Sequence, residues 1–389
     1  MKKIKRLLSG KLSKYLRLFP VVAVIGPRQA GKTTFAKMEL PDWKYFDLEK
    51  PSDFGRISAD REFFLKQYGD KCIIDEAQLL PDLFPALRNF IDEDRTKKGR
   101  IVLLGSVNPA LIKNISESLA GRIGFIELSA FHFAEASPLR RTALEEFWLR
   151  GGYPEPLLWE PDEHSAWMEQ YVKTFVERDV LRILKTSLSS QRQIQLLTMF
   201  AHSHGKLWNA SQIASAFGIS YHTINHYIDL MENYFLIRKL APYHQNVGKR
   251  LVKSNKLYFR DTGLLHFLLH ISNREALRTS PYRGFSFEGF IIEQLIQKYV
   301  RDAMDPVGFY FYRNSQGDEI DLLVQDGNRL IAYEIKTSTA IVPGELKGFQ
   351  RALEQLQMEK GIVIYFGKED FLLNPLIEVR SAEGLLGET

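Results

Sequence analysis

Basic and apolar residues interleave at helical spacing over positions 1–17, and the chain then runs into an unbroken apolar stretch, Val21-Val22-Ala23-Val24-Ile25. A continuous apolar run of this kind predicts a strand buried on both faces, as in a parallel sheet. The alternation continues with a helix to Leu40, a segment ending Tyr45-Phe46-Asp47, and a helical stretch to Tyr68. Two further buried-strand runs, KCIIDEA and RIVLLGS, flank a predicted helix over 83–93, and GFIEL follows a predicted helix over 110–120. Strands alternating with helices predict an α/β fold with an open parallel sheet covered on both sides. This pattern defines a first domain over residues 1–134.

From 135 to 204 the periodicity is helical, broken by Gly151-Gly152-Tyr153-Pro154, and predicts a helical lid without strands. Residues 205–262 predict a helix-turn-helix followed by a strand pair: Asn209 caps one helix, Gly218 makes the turn, and Ser220 caps a second helix burying Ile224, Tyr227, Ile228 and Met231. The stretch 263–389 begins with helices, continues with period-two strands and a helix near 345–358, and closes on the strand GIVIYF, a separate C-terminal α/β domain. The fold class is therefore α/β multidomain, with a parallel-sheet domain, a helical lid, a winged helix and a second α/β domain.

At 389 residues the chain is long enough for several domains, and 45% apolar with 25% charged residues is ordinary for a globular protein. No stretch approaches the roughly 18 uninterrupted apolar residues of a membrane helix. The basic start followed by an apolar run has the outline of a secretory signal, but the run leads straight into a glycine-rich loop and reads as a strand. A single cysteine, Cys72, excludes an intramolecular disulfide and a cysteine-rich metal site, so the expected location is cytoplasmic, with no membrane partner. The net charge of +5 is modest, but seven Lys or Arg and no acid lie between Arg238 and Arg260. Such a stretch is either a nucleic-acid contact or a solvated face.

The clearest chemistry is Gly26-Pro27-Arg28-Gln29-Ala30-Gly31-Lys32-Thr33, which fits G-x-x-x-x-G-K-[ST] between a predicted strand and a predicted helix and continues with Thr34. The glycines let backbone N–H groups wrap a phosphate at a helix N-terminus, Lys32 neutralises β/γ oxygens, and Thr33 offers its hydroxyl to Mg²⁺. The cofactors expected are ATP and Mg²⁺. Ile73-Ile74-Asp75-Glu76 ends a buried strand, so Asp75 is expected in the magnesium shell and Glu76 beside the attacking water. The glutamate separates hydrolysing ATPases from many P-loop kinases. Ser106 and Asn108, after the next strand, can reach the γ-phosphate or the water, or can equally cap the following helix.

The second helix of the helix-turn-helix offers Tyr221, His222, Thr223, Asn225 and His226 but no Lys or Arg, so any DNA contact is expected through shape and backbone, using the 238–260 stretch. In the C-terminal domain Glu288 lies on a predicted helix, Asp321 on a strand, and Glu334 and Lys336 on one face of the next strand. A two-residue loop at Gly327-Asn328 would set position 321 directly opposite 334. Facing carboxylates need neutralising, and Mg²⁺ is the expected partner of Asp321 and Glu334. With Lys336 they could activate water and stabilise a phosphate's developing charge. A surface hairpin with ordinary charges is the other reading.

An Asp followed by Glu-x-Lys, with an acid on a preceding helix, resembles the PD-(D/E)xK nuclease superfamily. Taken in order, GPRQAGKTT, IIDEAQ, LLGS, SLAGR, GGYPE, the ERD at 177–179, GDEIDLL and EIKTS closely resemble a large prokaryotic family of AAA-like ATPases with a C-terminal nuclease-like domain of unassigned function. The resemblance implies an ATP-driven protein. It also implies that Arg122, placed after a helix and before a strand, is an arginine finger acting in a neighbouring subunit of a homo-oligomer, where the alternative is an exposed arginine after a helix. The leading expectation is an ATPase coupled to DNA with a metal-dependent nuclease site at Glu288, Asp321, Glu334 and Lys336. The alternative is an ATP-dependent switch whose downstream domains hold a protein partner.

Overall fold

Strand β1 (Val21–Ile25) sits between two parallel neighbours and is buried along almost its whole length, which is why it tolerates no polar residue. The computed structural model describes residues 4–106, 119–140, 143–180, 188–244, 254–303 and 306–387. The chain forms two compact units, Met1–Phe131 with Asn233–Phe235, and His132–Glu232 with Leu236–Thr389.

In the first unit β1 is joined by β2 (Lys44–Asp47), β3 (Cys72–Asp75), β4 (Ile101–Gly105) and β5 (Ile123–Glu127) in the order β2-β3-β4-β1-β5, every pairing parallel. Alternation along the strands feeds two cores. Val21, Ala23, Ile74 and Leu103 face one set of helices with Phe84 and Leu87, while Val22, Val24, Ile73 and Val102 face the other with Leu12 and Phe35. Each Val, Leu, Ile or Phe among them contributes about 1.5–3 kcal/mol on full burial. The register sets Asp47 beside Asp75 and Ile25 beside Gly105, so the carboxyl ends of four strands line up along one edge. The helical stretch to Tyr68 is two helices, Pro51–Ala59 and Arg61–Tyr68, because Asp60 leaves the helical conformation and caps the second through Phe63 N–H. The predicted helix over 110–120 falls largely outside the described residues.

The second unit begins with helices Phe133–Arg140, Leu144–Arg150, Pro161–Thr174 and Ser190–His202, with a π-helical turn over Phe175–Val180. Helices Ala210–Phe217 and Tyr221–Asn233 follow, separated by Gly218 in the left-handed region (φ 65°), with Asn209 and Ser220 accepting capping bonds from Gln212 and Thr223. The strand pair after them, β6 (Ile237–Pro242) and β7 (Lys256–Phe259), is antiparallel. It has no sheet of its own. Strand β6 also pairs in parallel with β8 (Gly308–Arg313), which continues into β9 (Glu319–Asp326), β10 (Arg329–Lys336) and β11 (Gly361–Tyr365). GIVIYF is not the last strand, since β12 (Phe371–Asn374) and β13 (Ile377–Ser381) follow it. The eight strands form one sheet in the order β12-β13-β11-β10-β9-β8-β6-β7, so segments 205–262 and 263–389 share it. Among the described residues no helix is long and apolar enough to cross a membrane.

Candidate nucleotide site and a buried carboxylate–lysine cluster

The loop leaving β1 turns at Gly26, whose φ of +153° and a Leu128 carbonyl only 2.1 Å from any added Cβ exclude every other residue. Gly31 (φ 87°) then leads into helix Lys32–Glu39. Pro27 and Ala30 are buried, Arg28 is half-buried, and Gln29 and Thr34 are exposed. Arg6, which no sequence motif marks, anchors the loop by donating to Ala30 O (2.9 Å) and Ser129 O (2.8 Å). Lys32 Nζ lies inside the loop on the carbonyls of Gly26 (3.0 Å) and Pro27 (2.8 Å). Burial pulls its pKa down to about 8 against the pull of Glu76 and Asp75. An ammonium so placed can exchange loop carbonyls for phosphate oxygens.

Thr33 Oγ1 donates to Asp75 Oδ2 at 2.6 Å, and Tyr45 OH donates to the same oxygen at 2.8 Å. A hydroxyl and a nearly buried carboxylate adjoining a helix N-terminus are the hard oxygen donors that Mg²⁺ takes, so the residues present fit that ion. Next to them Glu76 is held in the left-handed region (φ 51°, ψ 43°), which turns its side chain back over the sheet edge. Its Oε2 accepts from the Gln78 amide and from Ser106 Oγ (3.1 Å), and Gln78 also reaches Ser106 (3.4 Å). Ser106 is fully buried. Gln78 was not singled out from the sequence, although it lies two residues beyond the acidic pair. Asn108 lies outside the described residues. Arg122 is engaged within its own chain, forked onto Asp92 with both contacts at 2.8 Å and bonded to Ala120 O.

In the second unit the β9–β10 ladder pairs Arg329 with Asp326 and runs to Tyr333 opposite Leu322, one step short of Glu334 and Asp321. There the Asp321 carboxylate takes over and accepts Ile335 N–H at 2.9 Å. Glu288, from helix Arg283–Asp302, and Glu319 complete a group of four carboxylates. Lys336 Nζ binds Glu334 Oε1 at 2.6 Å. A second ammonium, absent from the sequence-derived site, sits among the others: Lys256 Nζ lies 2.9 Å from Glu288, 2.5 Å from Glu319 and 3.9 Å from Asp321. Tyr258 OH donates to Glu288 as well. Burial, with Glu334 and Glu288 beside it, pushes Asp321 well above the usual carboxylate range, and burial also raises Glu334. Burial opposes the Lys256 charge, but Glu288 and its neighbours hold it well above the ordinary lysine value.

With the Lys256 ammonium in place, this arrangement leaves no room for the expected magnesium ion. Among the described residues no group of three or more His, Cys, Asp or Glu side chains is arranged to hold a metal, and lysines supply the neutralising charge instead. The basic stretch is also spent internally. Arg238 and Arg260 pair with buried Glu293, Lys239 with Asp229 and Glu232, and Lys256 with the carboxylates, while positions 249, 250 and 253 lie outside the described residues.

A family described as an AAA domain matches residues 18–137, a domain of unknown function (DUF8612) matches 141–275, and another (DUF4143) matches 283–382. The chain is 36% identical over 382 residues to uncharacterized protein Rv2008c of Mycobacterium tuberculosis and equally to uncharacterized protein Mb2031c of Mycobacterium bovis, covering 97% of this chain and 83% of each relative. Among solved structures it is similar to the Walker-type ATPase PABY2304 of Pyrococcus abyssi, at 15% identity and a TM-score of 0.46 over 67% of this chain and 94% of that one.

Proposed function

Since the chain belongs to the family of the mycobacterial protein Rv2008c, with an α/β AAA-type domain ahead of two segments of unknown function, we propose that it hydrolyses ATP and uses the reaction to switch or drive its second unit. The observation that carries this reading is the Glu76 carboxylate, held by Gln78 and Ser106 beside the Thr33–Asp75 pair. The loop N–H groups and Lys32 take the β- and γ-phosphates, and Thr33 with Asp75 holds Mg²⁺. When bound, that ion withdraws charge from the phosphate oxygens. Glu76 orients the attacking water and accepts its proton, while Ser106 and Gln78 hold the carboxylate in place. Arg122 supplied to a neighbouring subunit would make the homo-oligomer the active form, worth about 10³–10⁵ in rate.

Turnover by Lys32→Ala and Glu76→Gln tests the core of the proposal. Lys32→Ala loses nucleotide binding. Glu76→Gln keeps binding and loses turnover by about 10²–10⁴. Wild-type turnover in Glu76→Gln would remove hydrolysis by this site.

One observation favours a second activity, cleavage of DNA at Glu288, Asp321, Glu334 and Lys336. Glu334 is buried, yet its Oε2 has no hydrogen-bond partner, as befits a group awaiting a ligand. Mg²⁺-dependent cutting of single-stranded, duplex and branched DNA, with and without ATP, that disappears in Lys336→Ala would establish it. No cutting by protein that still hydrolyses ATP would leave the second unit as a holder of a protein partner.

A further inference from the structure

The carboxylate cluster is built by one part of the eight-stranded sheet and neutralised by another. Glu319 and Asp321 lie on β9, Glu334 on β10 and Glu288 on the helix packed over them, whereas Lys256 comes from β7 at the far edge of the sheet. Lys256 is only 4% exposed and its ammonium reaches three carboxylates, two from β9 and one from helix Arg283–Asp302. Arg313 touches the outer oxygen of Glu319 at 3.5 Å, and Lys336 stays on Glu334 Oε1. The buried Glu334 Oε2 remains unmatched.

We propose that Lys256 is a built-in counter-ion that closes this cluster to divalent cations, and that its withdrawal uncovers a site for one Mg²⁺ or Mn²⁺ on Asp321 and Glu334. The inference rests on the reading of these residues as a nuclease-like site, and it concerns cation binding rather than cleavage. An ammonium and a divalent ion compete for the same carboxylate oxygens. Mg²⁺ demands oxygens about 2.0–2.1 Å away in octahedral array, while carboxylates spread around an ammonium stand farther out. Removing a buried cation leaves its carboxylates uncompensated, which strengthens the demand for a replacement charge. Strand β7 holds Lys256 in place from both sides, pairing with β6 on one and bridged on the other to residues 204–208, where Gly205 N–H donates to Leu257 O (2.7 Å) and Trp208 N–H to Asn255 O (2.8 Å).

The test uses the full nucleotide-free chain with Mn²⁺ alone as the probe, read by calorimetric titration and by melting temperature. Lys256→Met binds Mn²⁺ about ten-fold or more tightly than wild type, and its melting temperature rises with Mn²⁺ while that of wild type stays flat. Glu334→Gln or Asp321→Asn added to Lys256→Met abolishes both effects, and Lys256→Arg behaves as wild type. If Lys256→Met fails to fold, K256M/E319Q, which removes one acid with the lysine, is read in the same way. Wild-type binding as tight as that of Lys256→Met and lost in Glu334→Gln overturns the proposal, as does a folded Lys256→Met that takes up no Mn²⁺. Uptake of Mn²⁺ by Lys256→Met without DNA cleavage supports the closure and removes the cleavage reading alone.

Discussion

The Arg122 guanidinium is forked onto Asp92, with Nε on one carboxylate oxygen and Nη2 on the other, both at 2.8 Å. The pair lowers the Asp92 pKa, through these hydrogen bonds first, and keeps Arg122 in a fixed pose within its own chain. An arginine finger must trade such a partner for a phosphate on the neighbouring subunit. On the trans reading, Arg122→Ala lowers ATP turnover by about 10³ with little change in KM. Mixing Arg122→Ala with Glu76→Gln then restores activity, because each subunit supplies what the other lacks. Absence of rescue on mixing would assign Arg122 to Asp92 alone.

Gln78 bridges the two groups nearest the proposed water, Glu76 Oε2 and Ser106 Oγ. Its amide fits because residue 105 is glycine, where a Cβ would stand 3.0 Å from Gln78 Oε1. Gln78→Ala is expected to reduce kcat by about ten-fold with KM for ATP unchanged, the loss of one positioning hydrogen bond to a charged group. Gln78→Glu reduces it further and moves the pH profile upward, since a second carboxylate beside Glu76 disfavours its ionised form. Equal kcat in all three proteins would remove the positioning role.

Asp261 caps helix Thr262–Leu268 and reaches back to the Gly151-Gly152 bend, accepting Leu264 N–H (2.9 Å) and Gly152 N–H (2.8 Å). Burial lifts its pKa from 3.8 to about 6, only partly offset by these backbone donors. A carboxyl raised in the folded state contributes stability that is complete below its unfolded pKa and is lost as pH climbs through the folded one. The contribution is on the order of 3 kcal/mol for a two-unit shift. Urea unfolding should therefore show wild type losing stability relative to Asp261→Asn between pH 4 and 7. Parallel curves would place the Asp261 proton elsewhere.

Glu293, only 2% exposed, is shared by Arg238 of β6 and Arg260 just after β7. Replacing it takes the shared carboxylate from both guanidinium groups, and removal of one partner from such a buried network costs about 3–5 kcal/mol. Glu293→Gln should lower the unfolding free energy of the second unit, measured by urea titration, by that amount while nucleotide binding by the first is retained. A change below about 1 kcal/mol would mean that the arginines find water instead.

Much of the first unit was legible in the order of residues. An apolar run ending in Gly26 and followed by Gly31-Lys32-Thr33 specifies strand, phosphate loop and helix, because burial, left-handed backbone and helix start are each local demands. The register bringing Asp321 towards Glu334 was equally local, since the Gly327 turn (φ +57°) counts residues on both sides. The second unit was legible only in pieces: its helices and hairpin stood out, while the joining of β6 to β8 across the boundary at 262 did not. Parallel pairing between distant strands leaves no periodicity in the sequence.

What only the tertiary structure decided is where the charges go. Lys256 and Glu288 are 32 residues apart and Arg238 and Glu293 are 55 apart, and neither pair carries a spacing signal. In the sequence those cations form part of one basic stretch open to solvent or nucleic acid. In the fold, burial makes an unpaired charge costly, so the lysine and the arginines turn inward to carboxylates brought near by the sheet. The residue types that could do chemistry were present in the order of the chain. Whether a carboxylate meets a lysine, a metal or water depends on which strand the sheet sets beside it, and that is a property of the folded chain alone.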